Sequence, residues 1–123
     1  MNGMTFVLVL SGVLLNAGAQ LLLKAGTNAI GVIGIVPGQI FALLASVAVQ
    51  PFILAGLACY VFSVGIWIVA LSRVDVSMAY PMLSIGYVVN AFAARYLFGE
   101  ALTLTRLVGI TVIIVGVIII SRS

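Results

Sequence analysis

The chain has 123 residues, of which 65% are hydrophobic, while five basic and two acidic residues leave 6% charged. An ordinary soluble domain carries about 25% charged residues, so this composition excludes a water-soluble globule, whose exposed apolar surface would aggregate. The absence of histidine excludes imidazole metal ligands and His-based acid–base chemistry. Five scattered basic residues are too few for a nucleic-acid interface. We therefore expect an integral membrane protein in a lipid bilayer, with no metal and no cofactor.

The charged residues divide the chain into apolar runs, because a charge is costly at the centre of a bilayer. A helix that crosses the bilayer needs about 20 apolar residues. The runs predict an all-α membrane domain over residues 1–123, with spans at about 4–24, 51–71, 76–96 and 102–121.

The first apolar run also has the form of a signal-peptide core over residues 4–15, with Ala17-Gly18-Ala19 as a cleavage site. No Lys or Arg precedes this run, and it continues to Leu23. We expect it to remain in the protein as the first membrane helix.

Residues 25–72 form an uncharged stretch of 48 positions. A single helix of this length would extend about 72 Å, well beyond the ~30 Å hydrocarbon core, so it must break. The sequence predicts one break over a group of turn-forming residues and a second at Gln50-Pro51, where proline suits the start of a helix. The first group comprises Asn28, Gly31, Gly34, Pro37 and Gly38.

The piece between these breaks, residues 38–49, is too short to cross the membrane. Its apolar and polar positions lie on different helical faces, which favours a short interfacial helix. A re-entrant segment is the alternative. The apolar face comprises Ile40, Leu43, Leu44 and Val47, and the polar face comprises Gln39, Ser46 and Gln50.

Basic residues are nearly balanced between the two sides of the predicted membrane domain. Arg73 and Arg122 lie on the side of both termini, whereas Lys24, Arg95 and Arg106 lie on the other. This two-against-three split sets only a weak orientation by the positive-inside rule. Such a weak bias is what an antiparallel dimer would require.

Polar residues within membrane helices usually face the bundle interior or a water-filled cavity. The first span carries Asn16, Gln20 and Lys24 at intervals of four, which we predict to line a substrate site, with helix–helix hydrogen bonding as the alternative. The second and third spans carry further stripes of hydroxyl, aromatic and basic residues that we assign to the same site: Tyr60, Ser63, Trp67, Tyr80, Ser84, Tyr87 and Arg95. For Trp67 and Tyr80 an interfacial aromatic belt is the alternative.

Small residues on the fourth span predict a contact with another subunit. Gly109 and Gly116 are seven residues apart and lie on one helical face, and small residues allow membrane helices to approach closely. We predict a dimer interface there. Pro81 predicts a kink near the start of the third span.

Acidic residues are confined to the predicted connections, where Asp75 and Glu100 lie. Proton-coupled exchange generally needs a titratable group at membrane depth, and no acidic residue lies within a predicted span. The sequence also lacks a nucleophile–base pair, so we do not expect an enzyme.

Several segments together resemble the drug/metabolite transporter superfamily, in its four-helix branch of EamA-like and small-multidrug-resistance-like proteins. The resemblance covers nearly the whole chain. It is carried by Lys24, Cys59-Tyr60, Ser63, the segment VDVSMAY at 74–80, the segment FGEALT at 98–103, Gly109 and Gly116-Val117.

Two branches of that superfamily differ in the first span. Small multidrug exporters carry a glutamate in mid-span, and the corresponding position here is Asn16, which argues against proton-coupled cation export. The segment AYPMLS at 79–84 is similar to subunits that flip aminoarabinose-phosphoundecaprenol across the bacterial inner membrane.

The second resemblance implies an inner-membrane flippase for a polyprenyl-phosphate-linked sugar or a related anionic lipid. It also implies a homodimer or a heterodimer with a similar small subunit. Because a buried anion must be paired, we assign the phosphate to Lys24 and Arg95. A small-molecule exporter and a non-transporting accessory subunit are the alternatives.

Overall fold

The computed structural model describes residues 2–31, 34 and 37–123, and these residues form six helices and no strand. The helices are α1 (Gly3–Ile30), α2 (Ile40–Val49), α3 (Pro51–Leu71), α4 (Val76–Met82), α5 (Ser84–Phe98) and α6 (Leu104–Ser121). Four segments are long and apolar enough to cross a membrane: α1, α3, α4 together with α5, and α6. The predicted fold class, four membrane helices with a short helix after the first, is confirmed.

Helix α1 is longer than the predicted first span. It begins after Asn2, whose side chain accepts a hydrogen bond from the Thr5 N–H at 2.8 Å, and it continues past Lys24 to Ile30. Its 28 residues extend about 42 Å, so its last turns project beyond a hydrocarbon core of ~30 Å. The break begins only at Gly31, which takes a positive φ of 98°. Asn28 therefore belongs to the helix, and the remainder of the predicted break falls partly on residues 32, 33, 35 and 36, outside the described residues.

Helix α2 lies where the sequence predicts a short helix. Its ten residues span about 15 Å, half the thickness of the hydrocarbon core. None of its side chains is buried, but Leu43 and Val47 are half-buried where α2 contacts α3 and α1. Helix α2 is therefore a short apolar helix beside α3 and α1, too short to be a fifth span.

The second and third spans follow the proline signals of the sequence. Helix α3 begins at Pro51, and the Gln50 side chain caps it by accepting the Phe52 N–H at 2.6 Å. The third span is interrupted at Leu83, two residues after Pro81, which lacks an N–H to donate. The interruption separates α4 from α5.

The core of the bundle lies between α1, α3 and α4. Val9, Val13, Ala70 and Met82 form a buried cluster, and Val117 of α6 packs against its edge. Lipid supplies no hydrophobic force between helices, so close packing of small residues must hold them together. The glycines of α1, α3 and α5 provide such close approaches.

Three of these glycines sit directly against a neighbouring helix. A Cβ atom on Gly56 would lie 3.0 Å from the Ala19 carbonyl oxygen, and one on Gly86 would lie 3.3 Å from a Val13 methyl group. A Cβ on Gly12 would meet the Trp67 ring at 3.4 Å. The contacts hold α3 and α5 on two sides of α1. This arrangement leaves a groove along α1 between the two helices.

Candidate functional site

A groove runs along α1 between α3 and α5. Helix α1 contacts both α3 and α5, whereas α3 and α5 share no close backbone contact over the described residues. Helix α1 therefore forms the floor, and the other two helices form separate walls. Three adjoining cavities make up the groove, and neighbouring cavities share lining residues.

The middle cavity has a volume of about 430 Å³ and a mixed polar lining. Asn16 and Gln20 line it from α1, Tyr60 from α3, and Tyr87 and Asn90 from α5. Tyr60 and Tyr87 are exposed, at 41% and 60%, so their rings flank an open cavity. The structure therefore brings polar groups from three helices together at mid-span.

The inner cavity, of about 190 Å³, continues from Asn16 and Tyr60 toward Trp67 and Tyr80. Ser63 is buried there, and its hydroxyl donates to the Tyr60 carbonyl oxygen at 2.9 Å within α3. Trp67 is half-buried against Gly12, whereas Tyr80 is 62% exposed. This end of the groove is predominantly aromatic.

The third cavity forms the mouth of the groove at the opposite end, with a volume of about 380 Å³. Lys24 of α1, Arg106 of α6 and Glu100 of the preceding loop line it. Gln20 and Asn90 belong to both this cavity and the middle one. The mouth thus combines two cations with one carboxylate, and Gln20 and Asn90 form its junction with the polar centre.

Local structure places Arg106 at the mouth. The Thr103 hydroxyl caps α6 by accepting the Arg106 N–H at 3.2 Å, and the Arg106 guanidinium donates to the Ala101 carbonyl oxygen at 2.6 Å. A guanidinium presents five N–H donors, so one such bond leaves further donors for an anion.

Two residues that the sequence assigns to the site lie elsewhere. Ser84 lines an apolar cavity of about 270 Å³ between α5 and α6, together with Val88 and Val117. Arg95 is exposed on α5 and does not line any of the three cavities of the groove. Tyr80, Leu83, Tyr87 and Asn90 follow one another at intervals of three and four residues and line the groove, whereas Ser84 lies beside this face, toward α6.

Sequence reasoning missed Asn90 and Arg106. Asn90 lies three residues after Tyr87, at a spacing that shares a helical face, and a polar residue in mid-span is itself a signal of function. The stripe predicted from Tyr80 through Ser84 to Arg95 did not include Asn90. Arg106 lies near the start of its span, where charge alone does not distinguish a site from a membrane boundary.

The predicted dimer interface lies away from the groove. Gly109 is exposed and Gly116 half-buried on α6, and a Cβ on either would meet nothing within 4 Å. Neither glycine is therefore needed for packing within the chain.

Three relatives resemble this chain over nearly its full length. It is 34% identical over 119 residues to a probable 4-amino-4-deoxy-L-arabinose-phosphoundecaprenol flippase subunit ArnF of Enterobacter sp. (strain 638), a match covering 95% of this chain and 94% of the relative. It is 36% identical to the ArnF subunit of Shewanella sediminis, with coverage of 91% and 83%. It is 31% identical to the ArnE subunit of Pseudomonas savastanoi pv. phaseolicola, with coverage of 98% and 99%.

The chain belongs to this family of flippase subunits. The predicted resemblance is confirmed, and with it the assignment to lipid-flippase-like membrane transporters. The four apolar helices and the bacterial relatives identify a multi-pass protein of the bacterial inner membrane. The relatives are named for transport rather than catalysis and as subunits of two kinds. No protein-family model and no solved structure matches the chain.

Proposed function

We propose that this chain is a subunit of a flippase that moves a polyprenyl-phosphate-linked sugar, or a related anionic lipid, across the inner membrane without catalysing a reaction. The names of its relatives support the substrate class. The observation that carries the proposal is the groove, in which a cationic mouth continues into a polar centre between two walls whose backbones make no close contact over the described residues.

The open side of the groove suits a lipid better than a small solute. A lipid headgroup needs a polar path through the hydrocarbon region, while its tail can stay in the bilayer. Because α3 and α5 are separated, a tail can leave the groove sideways while the headgroup stays against Asn16, Tyr60 and Tyr87. An enclosed tunnel would have favoured an exporter of small molecules.

The cations of the mouth supply the phosphate site in this proposal. A charged phosphate leaving water loses its hydration and must be paired, and Lys24 and Arg106 lie where such a pair is needed. Arg106 can bind a phosphate with two parallel N–H bonds, whereas Lys24 acts as a point charge. We therefore assign the phosphate contact to Lys24 and Arg106, so that Arg106 replaces the Arg95 predicted from the sequence.

A second small subunit completes the transporter in this proposal. One chain leaves the groove open along its side, and the relatives are named as subunits. The partner is a similar subunit or a second copy of this chain, and Gly109 and Gly116 of α6 are its proposed contact.

Transport by reconstituted vesicles tests the proposed function. The chain is reconstituted with any partner that copurifies, and the substrate is a short-chain polyprenyl phosphate carrying 4-amino-4-deoxy-L-arabinose. A membrane-impermeant amine reagent labels the outer leaflet and measures the flipped fraction with time. We expect flipping well above that of protein-free vesicles, and a Lys24→Gln, Arg106→Gln double variant about 10- to 100-fold slower.

Two single variants serve as comparisons. Arg122→Gln changes a basic residue at the other end of the bundle and should keep the wild-type rate. Arg95→Gln should slow flipping less than Arg106→Gln, because Arg95 lies outside the groove. Flipping that is indifferent to Lys24 and Arg106 would refute the phosphate site. Movement of small metabolites without the lipid would establish the exporter instead, and no transport by the assembled complex would establish an accessory subunit.

A further inference from the structure

The amide of Asn90 is an unusual group in this bundle. Its side-chain oxygen Oδ1 is buried and has no hydrogen-bond partner among the described residues. A buried acceptor without a donor is costly because it has lost its contact with water. Asn90 also lines both the middle and the mouth cavities, so a ligand that passes between them comes against this residue.

The chemistry of this oxygen restricts the ligand that would satisfy it. An amide oxygen accepts hydrogen bonds, so its partner must carry an O–H or N–H group. An ionised phosphate carries acceptors only and cannot be that partner. Hydroxyl and amino groups of a sugar can, and Gln20, which faces the same junction from α1, can both donate and accept.

We propose that Asn90 is a specificity-determining residue that recognises a hydroxyl or amino donor on the sugar of the lipid headgroup. This inference rests on the proposed function, and it defines where the two parts of the headgroup lie in the groove. The phosphate lies at the mouth, against Lys24 and Arg106, and the donor-bearing sugar lies further in, at the Oδ1 of Asn90. A headgroup without donors leaves that oxygen unpaired and is transported less well.

The test compares two lipids in the same vesicles. One is the short-chain polyprenyl phosphate with 4-amino-4-deoxy-L-arabinose. The other carries the same sugar with its hydroxyl groups O-methylated and its amino group converted to trimethylammonium, which keeps the positive charge and removes every donor. A fluorescent tag on the tail and an impermeant quencher report both lipids without using the amine. In the wild-type protein we expect the donor-bearing lipid to move about tenfold faster.

The Asn90→Leu variant has similar size but no acceptor, and we expect it to move the two lipids at nearly equal rates. The Asn90→Asp variant keeps an acceptor oxygen in either protonation state and should keep the preference. Asn28→Leu makes the same chemical change on an exposed residue of α1 outside the groove and should behave as wild type.

Thermal unfolding of the solubilised complex provides a second readout. Removing an unpaired buried oxygen should leave the ligand-free Asn90→Leu variant at least as stable as wild type, while stabilisation by the donor-bearing lipid is reduced. A less stable ligand-free variant would show that Asn90 holds the protein or its partner together, and would overturn the inference. An unchanged preference in Asn90→Leu would also overturn it, whereas a wild type that moves neither lipid would refute the proposed function itself.

Discussion

The first and last membrane helices, α1 and α6, are packed in opposite ways. Helix α1 has seven buried residues, and α3 and α5 both pack against it. Helix α6 has none, and among the described helices it contacts only α4 and α5. Both helices are strongly apolar, so hydrophobicity does not account for the difference. The difference lies in how closely the neighbouring backbones approach.

The glycines of the two regions differ in what surrounds them. Gly56 and Gly86 allow α3 and α5 to approach the backbone of α1, whereas Gly109 and Gly116 of α6 face open space. In a bilayer, close van der Waals packing is the principal force between helices. The α1, α3 and α5 region therefore forms the main scaffold of the groove, whereas α6 contributes Arg106 to its mouth and leaves its glycine face for lipid or another subunit.

The largest expected effect comes from filling the contact of α3 with α1. Gly56→Leu places a side chain where even a Cβ atom would lie 3.0 Å from the Ala19 carbonyl oxygen and 3.1 Å from the Leu23 nitrogen. Backbone atoms cannot move aside as a flexible side chain can, so we expect a loss of about 3 kcal/mol of stability. Unfolding in mixed micelles measures it.

Gly116→Leu is the matched control, because the same change on α6 meets nothing within the chain. Its effect on the stability of the single chain should stay within about 0.5 kcal/mol. Equal losses in the two variants would remove the distinction between the two regions.

A smaller effect is expected on assembly. Gly109→Leu and Gly116→Leu should weaken association with the partner subunit roughly tenfold, because bulky residues prevent close helix approach. Thr111→Leu lies on the opposite side of α6 and should leave association unchanged. Association is measured in lipid by energy transfer between labelled subunits. Equal affinities for all variants would place the contact on another surface.

The smallest effect concerns the start of α6. Thr103→Ala removes the hydroxyl that accepts the Arg106 N–H, and loss of such a cap costs about 1 kcal/mol. Because α6 has little packing to compensate, amide exchange in its first turn should rise about fivefold. Asn2→Ala removes the corresponding cap of α1. It measures how amide exchange in the first turn responds to the loss of a cap when the helix is well packed. An unchanged exchange rate at α6 would show that the cap does not hold Arg106 in place.

Prediction from sequence succeeded where one local signal determined the structure. Pro51 places the start of α3, and the structure begins that helix at the same residue. The spacing of Asn16, Gln20 and Lys24 places them on one side of α1, where all three line the groove. Their role in binding substrate stays a prediction.

It was less accurate where two neighbouring faces of one helix had to be told apart. Tyr80, Tyr87 and Asn90 line the groove, whereas Ser84, one helical position to the side, lines the cavity toward α6. Which face meets α1 and which meets α6 depends on the packing of the neighbouring helices. Arg95 and Arg106 show the same difficulty, because only the approach of α6 to the end of α5 decides which of them reaches the mouth.

The sequence by itself determined that this protein is a membrane bundle of four spans, because seven charged residues leave too little polarity for any other environment and mark where the chain leaves the bilayer. It also determined the family, through short segments whose order is visible without coordinates. Only the tertiary structure decided that polar residues from α1, α3 and α5 meet in one groove. That depends on how closely glycines let the helices approach and on which face of each helix is turned toward its neighbours, and neither is encoded in the polarity pattern of a single helix.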